Sequence, residues 1–307
     1  MGVTGFYHTT VLLQEAVEGL AVKPAGVYVD ATFGGGGHSR AILSALGPEG
    51  RLIAFDHDAD AWRNKPDDDR LIAVTENFRY LKRFLRLHGH PLVDGILADL
   101  GVSSFQFDTP ERGFSTRFDG PLDMRMDRRL ERTAADILQS YSERQLHEIF
   151  EWYGEVRNAR QLAKHIAEQR GKMPLQSIEA LKALVAPVMK GNPNRYLAQL
   201  FQALRIEVNE EMEALKDFLQ QSAQCLKPGG RLSVITFHSL EDRLVKQFIK
   251  RGKWETAGQA FEAQEEKPPL KPVHHKPLEP GEEEMKKNPR ARSARLRVAE
   301  KVSEEHE

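Results

Sequence analysis

With 307 residues, 40% apolar and 29% charged, the chain is long enough for one large domain or two smaller ones, and its composition is that of a folded globular protein. The formal net charge of −1 excludes a globally basic surface, so nucleic acid has to be met by local clusters. One cysteine, Cys225, excludes a disulfide framework or a cysteine zinc site, and the lack of a signal pattern or an apolar run of about 18 residues points to a soluble cytoplasmic protein without a membrane partner.

Apolar residues at 12, 13, 16, 17 and 20 share one face and predict a helix over Val11 to Leu20. Val27 to Ala31 reads as a strand running into Thr32-Phe33-Gly34-Gly35-Gly36-Gly37-His38-Ser39, and Arg40 to Leu46 as a helix stopped by Gly47-Pro48. Further strands are predicted at Arg51 to Phe55, Leu71 to Thr75 and Gly95 to Ala98; Asp56 follows the first of these and Asp99 the last. This alternation predicts an α/β fold with a parallel, doubly wound sheet.

From about residue 110 the pattern changes. Glu111 to Arg132 has no period and reads as an ordered functional loop. Ser142 and Gln145 form a capping box ahead of Leu146, Ile149, Phe150 and Tyr153. Leu162, Ala163 and Ile166 mark another helix, and Ile178 to Val185 a third, ended by Pro187. The expected organisation is a helical insertion over 113–192 between two core segments, 1–112 and 193–307. Leu197, Phe201, Leu204, Val208, Met212, Leu215 and Phe218 then predict one long helical stripe. Pro228-Gly229-Gly230 precedes a strand from Arg231 to Phe237 that leads to His238-Ser239. Lys253 to Glu284 reads as a proline- and charge-rich excursion, and Ala294 to Ala299 as a final strand.

A glycine-rich turn between a strand and a helix lets a ligand approach the backbone at a helix N-terminus. No P-loop run is present, and the dinucleotide pattern fails because Gly34-x-Gly36-x-x ends on Ser39. An S-adenosylmethionine site remains, with its methionine carboxylate at the loop. Asp56 lies 22 positions after Gly34, near the roughly 20-residue spacing of a ribose-binding carboxylate. That pairing supports an adenosine-containing ligand without saying which.

Asp99-Leu100-Gly101-Val102-Ser103-Ser104 follows a strand at the carboxyl edge of the sheet, where open α/β folds bind ligands. A carboxylate there is placed to accept hydrogens from an aromatic amine and hold its nitrogen in line with a donor methyl; it is equally placed to contact the cofactor. Methylation at a ring carbon would need a cysteine nucleophile, and Cys225 sits at a helix end. The histidines His88, His90, His274 and His275 lack the spacing and acidic partners of a metal site, so no metal is expected.

Taken together, these runs resemble the bacterial small-subunit ribosomal RNA cytosine-N4 methyltransferase family. The resemblance covers nearly the whole chain. It rests on His8-Thr9-Thr10-Val11-Leu12-Leu13, the glycine loop, Asp99 to Ser104, Arg112-Gly113-Phe114-Ser115, Gly120 to Asp127, Phe201 to Ile206, Phe237 to Arg243 and Asn288 to Ser293. It implies a Rossmann-like class I S-adenosylmethionine-dependent methyltransferase core with an inserted helical substrate domain. Cofactor contacts would fall on Gly36, Gly37, His38, Asp56, Phe78, Asp99 and Gln106.

The implied acceptor is N4 of a cytosine in the decoding region of 16S ribosomal RNA, within the small subunit or a late assembly intermediate. Asp99 is expected to orient it, and His238 and Ser239 to position the base or take the released proton. A homodimer is left open. Arg112, Arg117, Arg125, Arg128, Arg129 and Arg132, with Lys286, Lys287, Arg290, Arg292, Arg295 and Arg297, are the expected phosphate contacts. Phe105 and Phe107 flank Gln106 where many relatives carry Pro and Leu, and Leu200 replaces a common Thr. A nicotinamide oxidoreductase, a non-catalytic ribosome-assembly factor and a DNA methyltransferase are the rival readings.

Overall fold

A computed structural model describes residues 10–254 and 267–303; His8, Thr9 and the middle of the Lys253–Glu284 excursion lie outside them. The chain forms two compact units, residues 1–101 with 213–307, and residues 102–212.

The first unit opens with helix α1 (Leu13–Gly19), then β1 (Val27–Asp30), α2 (Gly37–Ala45), β2 (Arg51–Phe55), β3 (Leu71–Val74), α3 (Leu81–Leu87) and β4 (Val93–Asp99). β1, β2 and β4 are almost wholly buried, as their continuous apolar runs require of parallel strands covered on both faces. The second unit holds α4 (Ser104–Asp108), α5 (Ala134–Ser140), α6 (Glu143–Trp152), α7 (Ala159–Gln169), α8 (Ile178–Val185) and α9 (Pro193–Asn209). Ser103 with Gln106, Thr133 with Asp136 and Ser142 with Gln145 start three of these helices as capping boxes. The chain then passes through α10 (Glu211–Cys225) to β5 (Leu226–Thr236), α11 (Ser239–Arg251), β6 (Leu270–Pro272), α12 (Glu282–Lys287) and β7 (Arg295–Lys301).

The sheet order is β3-β2-β1-β4-β5-β7-β6. β3 through β5 run parallel, and β7 pairs antiparallel with both β5 and β6. The winding direction reverses between β1 and β4, which pair at Asp30 and Leu97. Open α/β sheets bind ligands at this switch point. Here it brings the ends of β1 and β4, the glycine loop and Asp99, side by side.

The sequence placed three features differently. The helical unit begins at Val102 and runs to Met212, because Tyr196, Leu200 and Leu204 of α9 pack into its apolar core. The single stripe from Leu197 to Phe218 is two helices. Asn209 accepts the Met126 N–H at 2.7 Å and donates to the Met124 carbonyl at 2.8 Å, and Glu210 turns left-handed (φ 50°) to end α9. β5 begins at Leu226, ahead of Pro228-Gly229-Gly230; its register with β4 jumps from Leu226 to Arg231, so those residues bulge out while the pairing resumes.

Candidate functional site

Asp30 ends β1 fully buried. Its carboxylate accepts the Thr32 N–H at 3.1 Å and the Ser39 hydroxyl at 2.6 Å, tying the strand to the start of the loop and to the first turn of α2. Gly34 (φ 51°) and Gly36 (φ 76°) take left-handed conformations that favour glycine. A Cβ on Gly37 would lie 1.8 Å from Thr10 Oγ1, so the loop has room there only for hydrogen. The Gly34 N–H donates to Asp56 Oδ2 at 2.8 Å, which binds the loop to the end of β2. Phe33 stacks on Trp62 with ring centroids 4.7 Å apart, and the Trp62 indole donates to the Asp56 carbonyl at 3.2 Å. Arg40 clamps the other side through the carbonyls of Gly35 (2.8 Å) and Asn64 (2.7 Å).

Asp99 ends β4. Its amide donates to Thr32 Oγ1 at 2.7 Å, which fixes it against the loop. Its side chain is 19% exposed, and His38 Nδ1 lies 3.8 Å from Oδ2. Oδ1 is buried without a hydrogen-bond partner. Burial, reinforced by the nearby Asp30 and Glu241, holds the Asp99 carboxyl well above the ordinary carboxylate range. Burial likewise pushes Asp30 up to about 7, against the opposing hydrogen bonds from Ser39 and Thr32. A buried cluster of carboxyl groups with an unsatisfied oxygen is electrostatically a cation site.

The other expected residues fall as follows. His38 is buried in the first turn of α2. Phe78 lies in a short 3₁₀ turn, edge-on to Phe218 at 5.1 Å. Gln106 is buried in the second unit, where its side chain accepts the Ser103 N–H at 3.0 Å within the capping box of α4. His238 is the N-cap of α11: Nδ1 accepts the Glu241 N–H at 3.4 Å, and Nε2 lies 3.1 Å from Glu241 Oε1. Ser239 begins the same helix.

Of the expected phosphate contacts, Arg112 is buried and several others are ion-paired within the chain. Arg112 is 2% exposed and donates to the carbonyls of Arg125 (3.1 Å) and Met126 (2.9 Å). Arg125 pairs with Asp123 and Arg129 with Asp127, each at 2.8 Å. Arg295 and Arg297 both engage Asp242, at 3.2 and 2.7 Å. The pairing aspartates lie two residues before the Arg in the loop, or on α11 opposite β7. Sequence reasoning missed Asp30, Thr32 and Trp62. The available signal was an Asp closing an apolar strand directly before a glycine loop.

The sheet order and the loop at its switch point define a class I S-adenosylmethionine-dependent methyltransferase, with S-adenosyl-L-methionine as methyl donor. The residues present fit that donor: bare loop backbone at a helix N-terminus suits a carboxylate, and the unpartnered Asp99 oxygen suits positive charge. The MraW methylase family profile matches residues 5–302, and the chain belongs to that family. It is 54% identical over 298 residues to the ribosomal RNA small subunit methyltransferase H of Cytophaga hutchinsonii, covering 96% of this chain and 99% of the relative. The protein of the same name from Flavobacterium johnsoniae is 52% identical over 303 residues, covering 98% and 100%. An rRNA methylase structure from Streptococcus thermophilus aligns over 96% of this chain and 98% of its own, at 11% identity and a TM-score of 0.44, too low to bear on function.

Among the described residues no helix is long and apolar enough to cross a membrane.

Proposed function

We propose that this chain methylates the exocyclic N4 of a cytosine in the decoding region of 16S ribosomal RNA by direct transfer. The ribosomal substrate is supported by relatives above 50% identity over nearly the full chain that carry the name ribosomal RNA small subunit methyltransferase H. The observation that carries the chemistry is the buried, unpartnered Asp99 Oδ1 at the switch point. S-adenosylmethionine, when bound, supplies an electrophilic methyl and a positive charge.

An exocyclic amine is a poor nucleophile because its lone pair is delocalised into the ring. In this reading Asp99 Oδ1 accepts an N4 hydrogen, which localises the lone pair and fixes the nitrogen for attack. As the nitrogen–methyl bond forms, the bond from sulfur to methyl breaks and sulfur keeps its electron pair. The excess N4 proton passes to Asp99 or to water. The base has to leave its stack to enter the site. Gly36, Gly37 and His38 at the loop, Asp56, Phe78, Asp99 and Gln106 are the donor-binding residues of this proposal. His238, whose Nδ1 accepts a backbone N–H, has its lone pair engaged there; we assign it and Ser239 to positioning through the start of α11. A covalent route has no nucleophile, since Cys225 is buried at a helix end and burial raises its thiol pKa.

The test is transfer of labelled methyl from S-adenosylmethionine to small ribosomal subunits from a strain lacking this activity, followed by nucleoside analysis. Label in N4-methylcytidine is expected. Label in another nucleoside would discard the acceptor and keep the methyltransferase.

A further inference from the structure

The loop after α4 carries a feature that donor binding and methyl transfer leave unused. Phe107, on α4, is half-buried and packs against the apolar core of the helical unit. The Arg117 guanidinium lies 5.1 Å from the Phe107 ring centroid and 5.4 Å from that of Phe118. Arg117 is held there by Asp108 at 2.7 Å and by Ser115 Oγ at 3.3 Å. Ser115 is itself buried, so the anchor is rigid. Phe118 is left 41% exposed. Phe107, Arg117 and Phe118 thus form a cation–π cluster rooted in the core and ending in a solvent-facing ring.

An exposed Phe held by a fixed guanidinium offers a π-face at low entropic cost. Single-stranded nucleic acid uses such faces, because every base can stack on an aromatic ring or a guanidinium plane. The surrounding cations do not make this a phosphate groove: Arg117 is paired with Asp108, Arg125 with Asp123 and Arg129 with Asp127. The cluster also follows the acceptor-side carboxylate closely in the chain, Phe107 coming eight residues after Asp99.

The geometry points to Phe118, backed by Arg117 and Phe107, as a stacking platform for an unpaired base of single-stranded RNA. This rests on the RNA-acceptor reading above. The platform contributes to RNA binding by stacking rather than by charge.

The test uses the full chain. Binding of a fluorescein-labelled 12-nucleotide single-stranded RNA, and of the same strand annealed to its complement, is titrated across salt concentrations. Phe118→Ala is expected to weaken single-strand binding about tenfold, within the ~5- to 150-fold range of one lost stacking contact, with an unchanged salt slope. Phe118→Trp restores binding. Trp152→Ala, which removes an apolar side chain 60% exposed on α6 with no guanidinium against it among the described residues, leaves binding unchanged. In methyl transfer to small subunits, Phe118→Ala raises KM for the subunit and leaves donor affinity and kcat as they were. Wild-type affinity in Phe118→Ala overturns the platform, and so does an equal loss in Trp152→Ala or a shallower salt slope. If the platform behaves as described but wild-type protein transfers no methyl to subunits, the ribosomal reading fails and the stacking surface stands.

Discussion

The Asp99 amide donates to Thr32 Oγ1 at 2.7 Å, so the residue at the end of β4 is set by a side chain two residues past the end of β1. Donor loop and acceptor-side acid are therefore one rigid construction across the switch point. Removing the Asp99 carboxylate should spare that backbone contact while abolishing its chemistry. Asp99→Asn and Asp99→Ala are expected to lower single-turnover methyl transfer by about 100-fold or more, with folding retained. Full turnover in Asp99→Ala with normal donor affinity would falsify the role given to Asp99.

Donor binding should depend on pH. Asp30 sits at about 7, so it holds a proton over part of the neutral range, and burial raises Asp99 in the same direction; a cationic ligand disfavours both protons. Affinity for S-adenosylmethionine is expected to rise from about pH 6 to about pH 8, with protons released on binding. Calorimetry in two buffers of different ionisation enthalpy measures that release directly. Asp99→Asn should reduce it; an unchanged proton count would remove Asp99 from the linkage.

Asp30 also links to stability. Its folded pKa is raised above the unfolded value, so the stabilisation is full below about pH 4 and is lost as pH rises through about 7. Asp30→Asn keeps an acceptor for the Thr32 N–H and cannot ionise. Its unfolding free energy from urea titration is expected to exceed that of the wild type at pH 8, by on the order of a few kcal/mol, and to converge with it below about pH 4. A variant less stable than wild type at pH 8 would mean that the hydrogen bonds to Thr32 and Ser39 outweigh the burial of charge.

At Gly37 the limit is space rather than backbone conformation. Gly37→Ala sets a methyl 1.8 Å from Thr10 Oγ1 and 2.9 Å from Thr10 Cβ, which should cost about 1–3 kcal/mol and weaken donor binding. Thr10→Gly clears both atoms, so the double variant should recover donor affinity relative to Gly37→Ala. Thermal melts and donor titrations of the four proteins close the cycle; strict additivity would show that the clash is not the cause.

Trp62 buttresses the loop through Phe33 and the Asp56 carbonyl. Trp62→Ala is expected to raise the donor dissociation constant about tenfold, and Trp62→Phe, which keeps the stack but not the indole bond, to fall between. Equal affinity in all three proteins would make the stack irrelevant to the site.

The chain's own pattern settled the local elements. Continuous apolar runs form buried strands, the glycines after β1 turn the chain into α2, and Ser142 with Gln145 starts a helix; each is a short-range preference visible at fixed spacing. The motif runs went further and carried the family, which the match over residues 5–302 bears out. Tertiary structure decided what depends on distant partners. Asn209 splits a stripe that is periodic throughout, because its side chain bonds a loop some 80 residues earlier in the chain. Arg112 and Arg297 read as surface cations until folding supplies two carbonyls for one and Asp242 for the other. In the sequence Asp30 reads as part of a strand, while Asp99 is expected at the site on its own. Only the reversal of winding between β1 and β4 brings them together, and burial in one low-dielectric site then shifts both away from their solution behaviour.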